Sequence, residues 1–268
     1  MTAWIAAHPF GIRFACFVGI LLAMAAWEQL APRRPWRVAR TRRWTNHLLV
    51  SAVNSALALL PITAVGVALY AESQQWGWFN RYAVSPAVSI AVSVVMLDFI
   101  IYLQHRMFHA VPALWRVHRV HHADLDVDVT TGIRFHPIEI VISFAIKLAA
   151  IVLIGAPALA VGIFEVLLNA TSMFSHGNVR MPEALDRRLR RLVVTPDMHR
   201  VHHSIVWKET NSNFGFNLSW WDRLFGTYRD QPQAGYGGMT LGLENIRDEA
   251  RVATVGGILA MPFRSREK

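Results

Sequence analysis

An apolar run that begins near Pro86 ends in five histidines: His105, His109, His118, His121 and His122. The stretch from Asp98 to His122 reads DFIIYLQHRMFHAVPALWRVHRVHH, and it narrows the possible folds more than any other. Its first half belongs to a segment long and apolar enough to cross a bilayer. Its second half carries imidazoles among arginines. The chain must therefore hold metal-ligand side chains where a membrane meets water. A second HxxHH box, His199, His202 and His203, lies far along the chain. Ten of the twelve histidines fall between residues 105 and 203.

Composition supports the membrane reading. Hydrophobic residues make up 53% of the chain and charged residues 17%, against roughly 25% charged in a soluble domain. The formal charge is +9 (27 basic, 18 acidic). The arginines crowd beside apolar runs, which the positive-inside bias explains better than nucleic-acid binding. The single cysteine, Cys16, excludes an internal disulfide and any multi-cysteine zinc or iron–sulfur site. A bound metal must use nitrogen and oxygen ligands.

The first apolar segment runs from Ile12 to Leu30 and reads as an uncleaved membrane helix, because no cleavage site precedes the arginines that begin at Arg33. The linker with Arg33, Arg34, Arg37, Arg40, Arg42 and Arg43 marks the cytoplasmic side. A second segment, Asn46 to Tyr70, is long enough to span, and AESQQWGWFNRY suits the opposite interface. The third, Pro86 to His109, returns the chain to the arginine-rich side. A fourth stretch, Pro137 to Ser175, is broken by Gly155, Ala156 and Pro157 and reads as a tight helical hairpin. Lys147 and Glu165 sit symmetrically about Ala156 and are expected to pair or to reach an interface, since lone intramembrane charges are costly.

The expected fold is all-α: a multi-pass transmembrane bundle of about four membrane helices, the last two a hairpin, with a cytoplasmic histidine-rich helical cap. Three regions follow: membrane helices over 1–95, a histidine-bearing domain over 96–230, and a tail over 231–268. Within the tail, Val252–Phe263 reads as membrane-surface.

Residues three and four apart share a helix face. Each HxxHH box therefore reads as one ligating face: His118 with His121 and His122, and His199 with His202 and His203. Asp98, Tyr102, His105 and His109 form one stripe along the third segment. A carboxylate behind ligating imidazoles can accept a ring N–H and fix the tautomer, and Asp98, Tyr102 and Glu139 are expected in that supporting role. His136, just before Pro137, reads as a ligand or a cap, and His176 as a ligand at the end of the hairpin. His8 and His47 lack partners in the pattern. One zinc takes about four ligands, so these imidazoles imply two metal ions. Imidazole suits iron, zinc, copper and nickel alike. Asn211 and Asn213 read first as turn residues. Trp207, Trp220, Trp221 and Phe225 either wall a lipid cleft or anchor at the interface.

In order, DFIIYLQHRMFH, LWRVHRVHH, RFHPIE, SHGN, TPDMHRVHH and ETNSNFGFNLSWWDRLFGTY resemble the fatty acid hydroxylase / sterol desaturase superfamily, in its bacterial sterol desaturase branch. The resemblance implies a cytoplasmic non-haem di-iron centre that uses O2 and electrons to hydroxylate or desaturate a lipid, whether fatty acyl, sterol or alkyl. It implies metal ligation by His105, His109, His118, His121, His122, His176, His199, His202 and His203, with His136 matching in the sterol-type branches.

These residues hold no cysteine set, no GxGxxG after a strand and no fused haem-binding extension. Electrons are therefore expected from a separate ferredoxin- or cytochrome-like protein or from a pterin. Composition favours a bacterial inner membrane. Two other readings stand beside the oxygenase: a zinc-dependent membrane lipid hydrolase, with zinc in place of iron, and a metal-binding or transport protein without catalysis.

Overall fold

The structure, a computed structural model, describes residues 9–57 and 63–264. The longer helices are α1 (Pro9–Leu30), α2 (Arg40–Leu57), α3 (Ala64–Ser73), α4 (Pro86–Ala110), α5 (Pro112–His122), α6 (Pro137–Ile154), α7 (Ala158–His176), α8 (Glu183–Leu189) and α9 (Pro196–His202). Among the described residues no strand forms, only isolated bridges such as that between Pro32 and Val179. The protein is an all-helical bundle.

One local device starts the helices that matter most. A capping side chain precedes a proline, whose missing N–H is no loss in the first turn. Ser85 caps α4 before Pro86, His136 caps α6 before Pro137, and Thr195 caps α9 before Pro196. Val111 is extended ahead of Pro112, as a residue before proline prefers, and this break turns the chain from α4 into α5 between His109 and His118.

Four helices are long and apolar enough to cross a membrane: Gly11–Leu30, Pro86–Ala110, Pro137–Ile154 and Ala158–His176. Their outer faces leave large side chains such as Leu22, Val92, Val141 and Leu153 uncovered. Apolar surface on that scale is stable in hydrocarbon and not in water. Trp76, Trp78 and Tyr82 stand exposed at one end of the bundle, where an interfacial aromatic belt belongs. The opposite end gathers the C-termini of α1, α4 and α7 with α5 and α9.

Two expectations about the membrane region change. The span foreseen over Asn46–Tyr70 is not one described helix: α2 stops at Leu57, residues 58–62 lie outside the described residues, and α3 begins at Ala64. α2 starts at the histidine end, where Arg43 is buried against Asp124. The loop after α3 reaches the other end, where Gly77 presses on Gly155 so closely that no Cβ would fit. Two helices therefore share this passage. The hairpin is also not tight. Gly155, with φ 68°, ends α6 in the left-handed region that glycine adopts without strain. Beyond that turn the arms diverge, and α3 and α4 each pack against both α6 and α7. Lys147 Nζ still reaches Glu165 Oε1 across the gap at 2.7 Å, and Arg13 meets Glu165 Oε2 at 2.8 Å.

The tail has a packing role that its sequence pattern does not show. Val252, Ala253, Ile258 and Met261 are buried in one core with Val38, Val50, Val120, Ala123 and Leu125. The segment thus packs Val252, Ala253, Ile258 and Met261 against α2 and α5, while Phe263 stays exposed. Polar ties fix it: Arg134 to the Val252 carbonyl at 2.5 Å, Arg119 to the Met261 carbonyl at 2.8 Å, and Val255 N to Asn46 Oδ1 at 2.9 Å.

Candidate metal centre

Nine histidines converge at the end of the bundle where α4 and α7 stop and α5 and α9 lie across them. They form two adjoining groups: His105, His109, His118, His122 and His202 in the first, and His121, His176, His199 and His203 in the second. Within each group the candidate ligand atoms all lie within 4.8 Å of one another. Each HxxHH box is split between the groups, not directed at one. The first box sends His118 and His122 to the first group and His121 to the second; the other box sends His199 and His203 to the second and His202 to the first. The i, i+4 pair shares a line along the helix, while the residue at i+3 points to its other side. The two boxes are therefore reciprocal halves of one centre.

The ring nitrogens indicate what the first group can hold. His105 Nδ1 faces the Phe214 carbonyl at 2.8 Å, His118 Nδ1 faces Glu139 Oε1 at 2.7 Å, and His202 Nδ1 faces the Ser212 carbonyl at 2.7 Å. Each partner is an acceptor, which assigns the ring proton to Nδ1 and leaves Nε2 a bare lone pair. Yet His105 Nε2 lies 3.1 Å from His118 Nε2 and 3.0 Å from His202 Nε2. Lone pairs brought this close, with no proton between them, repel unless a cation sits among them. Two nitrogens bound to one ion about 2.1 Å away stand about 3 Å apart, so the donor set fits a metal.

The second group repeats the spacing: His176 Nε2 is 3.0 Å from both His121 Nε2 and His199 Nε2, while His176 Nδ1 faces the Ser172 carbonyl at 2.7 Å. His203 has both ring nitrogens buried without a hydrogen-bond partner.

The surroundings keep these rings neutral. None of the nine is more than 5% exposed. Burial first, and then the neighbouring imidazoles, hold His121, His122, His199 and His203 well below the usual histidine range, and push His202 down to about 3. A neutral imidazole is the form that ligates a metal.

The supporting residues only partly follow expectation. Glu139 reaches His118, as above. Asp98 does not reach a ring: its carboxylate accepts from Asn217 N and Leu218 N at 3.1 Å each and from Trp221 Nε1 at 2.8 Å. Tyr102 bonds Thr227 Oγ1 at 3.0 Å and stacks on Phe225. Both side chains leave α4 towards the 214–227 segment, so they fix that segment instead of the imidazoles.

The segment in turn presents its carbonyls to the rings. Asn213 adopts φ 53° and binds the Met198 and Arg229 carbonyls at 2.8 Å. Asp222, fully buried, accepts from Phe214 N at 2.7 Å and Gly215 N at 2.8 Å. Sequence reasoning missed Asp222. Its signal was an acid placed among WWDRLF, where nothing else is charged but Arg223. Asn211 closes a turn on the Trp207 carbonyl at 2.9 Å. Trp221 and Phe225 pack on Phe99, while Trp207 and Trp220 stand exposed.

His136 stands outside both groups. Its Nδ1 accepts from Ile138 N at 3.2 Å and its Nε2 lies 3.2 Å from the Leu259 carbonyl, so it caps α6 and meets the tail. His47 is buried beside Thr130 at 2.9 Å; His8 lies outside the described residues.

A further polar network went unseen in the sequence. Arg43, read there as a topology signal, is completely buried. It donates to Asp124 at 3.0 and 2.7 Å and to Asp128 at 2.5 Å. Asp126 accepts Arg37 N and Val38 N at 2.8 and 2.7 Å. The DLDVD segment, which begins two residues after His122, is thereby tied to α2.

Residues 90–227, just over half of the chain, match the fatty acid hydroxylase family. Among curated proteins, the ornithine lipid hydroxylase OlsE of Rhizobium tropici is 29% identical over 185 residues, which cover 69% of this chain and 54% of that protein. The alkylglycerol monooxygenase of Xenopus tropicalis is 31% identical over 145 residues, 54% of this chain and 31% of that protein. The fatty acid hydroxylase vlmA of a Lecanicillium species is 26% identical over 183 residues, 60% and 45% respectively. The matched region thus spans about half or less of each relative. No solved structure matches the chain. On the extent of that family match, with the histidine boxes inside it, the chain belongs to the fatty acid hydroxylase family.

Proposed function

We propose that this protein is a membrane-bound oxygenase that hydroxylates a lipid C–H bond at a two-iron centre, using O2 and two external electrons. His105, His109, His118, His122 and His202 would hold one ion, and His121, His176, His199 and His203 the other. The observation that carries the reading is the meeting of His105, His118 and His202 through unprotonated Nε2 atoms while their Nδ1 protons are engaged elsewhere. When bound, the irons supply the O2 activation that side chains cannot, which an unactivated C–H bond requires.

The chain's own residues do the rest. Glu139 and the carbonyls of Phe214, Ser212 and Ser172 hold ring protons at Nδ1 and aim Nε2 inward. Phe214 and Phe216 against His105, and Phe135 stacked on His121, line the rings with apolar surface that excludes water. The centre sits at the ends of apolar helices, within reach of a lipid drawn sideways from the bilayer. Relatives named for ornithine lipid, alkylglycerol and fatty acid support a lipid substrate, and their names as hydroxylases and monooxygenases favour an alcohol product over an alkene. The arginine-rich linker at this end supports a cytoplasmic orientation in a bacterial inner membrane. Donor groups of five and four imidazoles exceed the three-ligand open site of a zinc hydrolase, the second reading.

The test is lipid analysis of cells expressing the protein under labelled O2. A new lipid carrying one labelled oxygen, and absent with His118→Ala, is the expected result. Oxygen drawn from water, or no new lipid, would overturn the proposal.

A further inference from the structure

The proposed reaction takes two electrons from outside, yet its nine imidazoles are buried. An aromatic path leads from them to the surface. The Trp115 ring lies 4.8 Å from the ring of His109 and 5.3 Å from that of His122. Trp207 meets Trp115 edge-on, with centroids 5.8 Å apart and planes at 87°, and Trp207 is 60% exposed. Both tryptophans line a cavity of about 480 Å³. Its wall carries three cations, Arg119, Arg251 and Arg264, against one carboxylate, Glu244. Arg251 also pairs with Asp248 at 3.5 Å, and Arg119 donates to the Met261 carbonyl, so the positive charge at the rim centres on the exposed Arg264.

We propose that this face docks an acidic one-electron carrier protein, and that Trp207 and Trp115 conduct its electrons to the first histidine group. The inference rests on the oxygenase reading and names the partner of the same centre. The path ends in an indole on the cavity wall that is 60% exposed, where the surface of a macromolecule can touch it. A small reductant inside the cavity would meet Trp115 directly and would need no second ring. The arginines that line the cavity with that indole outnumber its one carboxylate, which complements an acidic partner and steers its approach.

The electrons cross one at a time, and neither ring is oxidised or reduced on the way; the π systems shorten the gap through which the electron tunnels. Two crossings balance the reaction: R–H, O2, two electrons and two protons give R–OH and H2O. The carrier is oxidised twice.

The experiment follows reduction of the iron-loaded protein in detergent by stopped flow. It compares a reduced acidic ferredoxin with reduced methyl viologen, a small cation. Binding of the oxidised ferredoxin to the same samples is measured in parallel. For Arg264→Glu and Arg251→Glu the ferredoxin rate and affinity are expected to fall about tenfold at low salt, with the difference vanishing at high salt. The viologen rate is expected to stay within about twofold. Trp207→Ala is expected to slow ferredoxin alone.

Ferredoxin rates unchanged by charge reversal, while viologen reduces every sample, would overturn the inference and leave the oxygenase reading intact. Saturable reduction by a small planar donor, lost in Trp207→Ala, would overturn it in favour of a small-molecule site. Failure of both donors to reduce the wild-type protein would overturn the oxygenase reading, and this inference with it.

Discussion

At the scale of single residues, the centre depends on where each imidazole keeps its proton. Glu139 holds that of His118, so Glu139→Ala is expected to weaken metal retention about 10- to 100-fold against a chelator. Glu139→Gln, which keeps an acceptor, should restore part of it. Metal content after graded chelation measures both. Burial also makes the metal-free cluster sensitive to acid. Folded values for His121, His122, His199, His202 and His203 lie below the usual histidine range. Between roughly pH 6.5 and the folded values the unfolded chain therefore binds more protons. Stability is greatest above that window and declines as pH falls through it. The thermal midpoint of chelated protein should fall steadily between about pH 7 and pH 5; a flat profile would mean the rings are not buried neutral. The histidines that meet were legible because box spacing marks eight of them and the end of the hairpin marks His176. The division of each box between two groups was not, because spacing gives a face of a helix and not the position of what faces it.

At the scale of elements, Asp98 and the Arg43 network bind segments together. Asp98 ties the 217–221 turn to α4 through two backbone N–H groups and the Trp221 indole. Asp98→Asn presents donors to donors and is expected to cost about 1–3 kcal/mol in unfolding measurements in detergent. Metal affinity at permissive temperature should stay closer to wild type than in Glu139→Ala. The opposite order would return Asp98 to the supporting role that its stripe with His105 and His109 suggests. Arg43 secures the DLDVD segment behind the first HxxHH box. Arg43→Met strands Asp124 and Asp128 in the interior and should cost about 3–5 kcal/mol, read from the same unfolding curves. These roles were hidden for a common reason. An arginine near an apolar run and an aspartate four residues from a tyrosine carry the same pattern whatever they touch, and the partners here lie far away in sequence. The caps were more readable, since Ser85, His136 and Thr195 each stand directly before a proline.

At the scale of the molecule, apolar length and arginine placement foretold a helical membrane bundle with histidines at one end. The splayed hairpin and the tail buried on α2 and α5 were not legible, because both depend on which faces meet. The layout predicts that Gln75 and Arg191 lie on opposite sides of the membrane. With Cys16 replaced by serine, single cysteines at these positions in oriented vesicles should react with an impermeant thiol reagent from opposite sides. Labelling from the same side would break the proposed orientation. Whether the two groups of imidazoles hold a pair of irons is decided by iron analysis and Mössbauer spectroscopy of protein purified from iron-labelled cells. Two irons per chain, magnetically coupled, are expected. A single zinc, or protein that folds and acts without metal, would contradict the two-iron proposal.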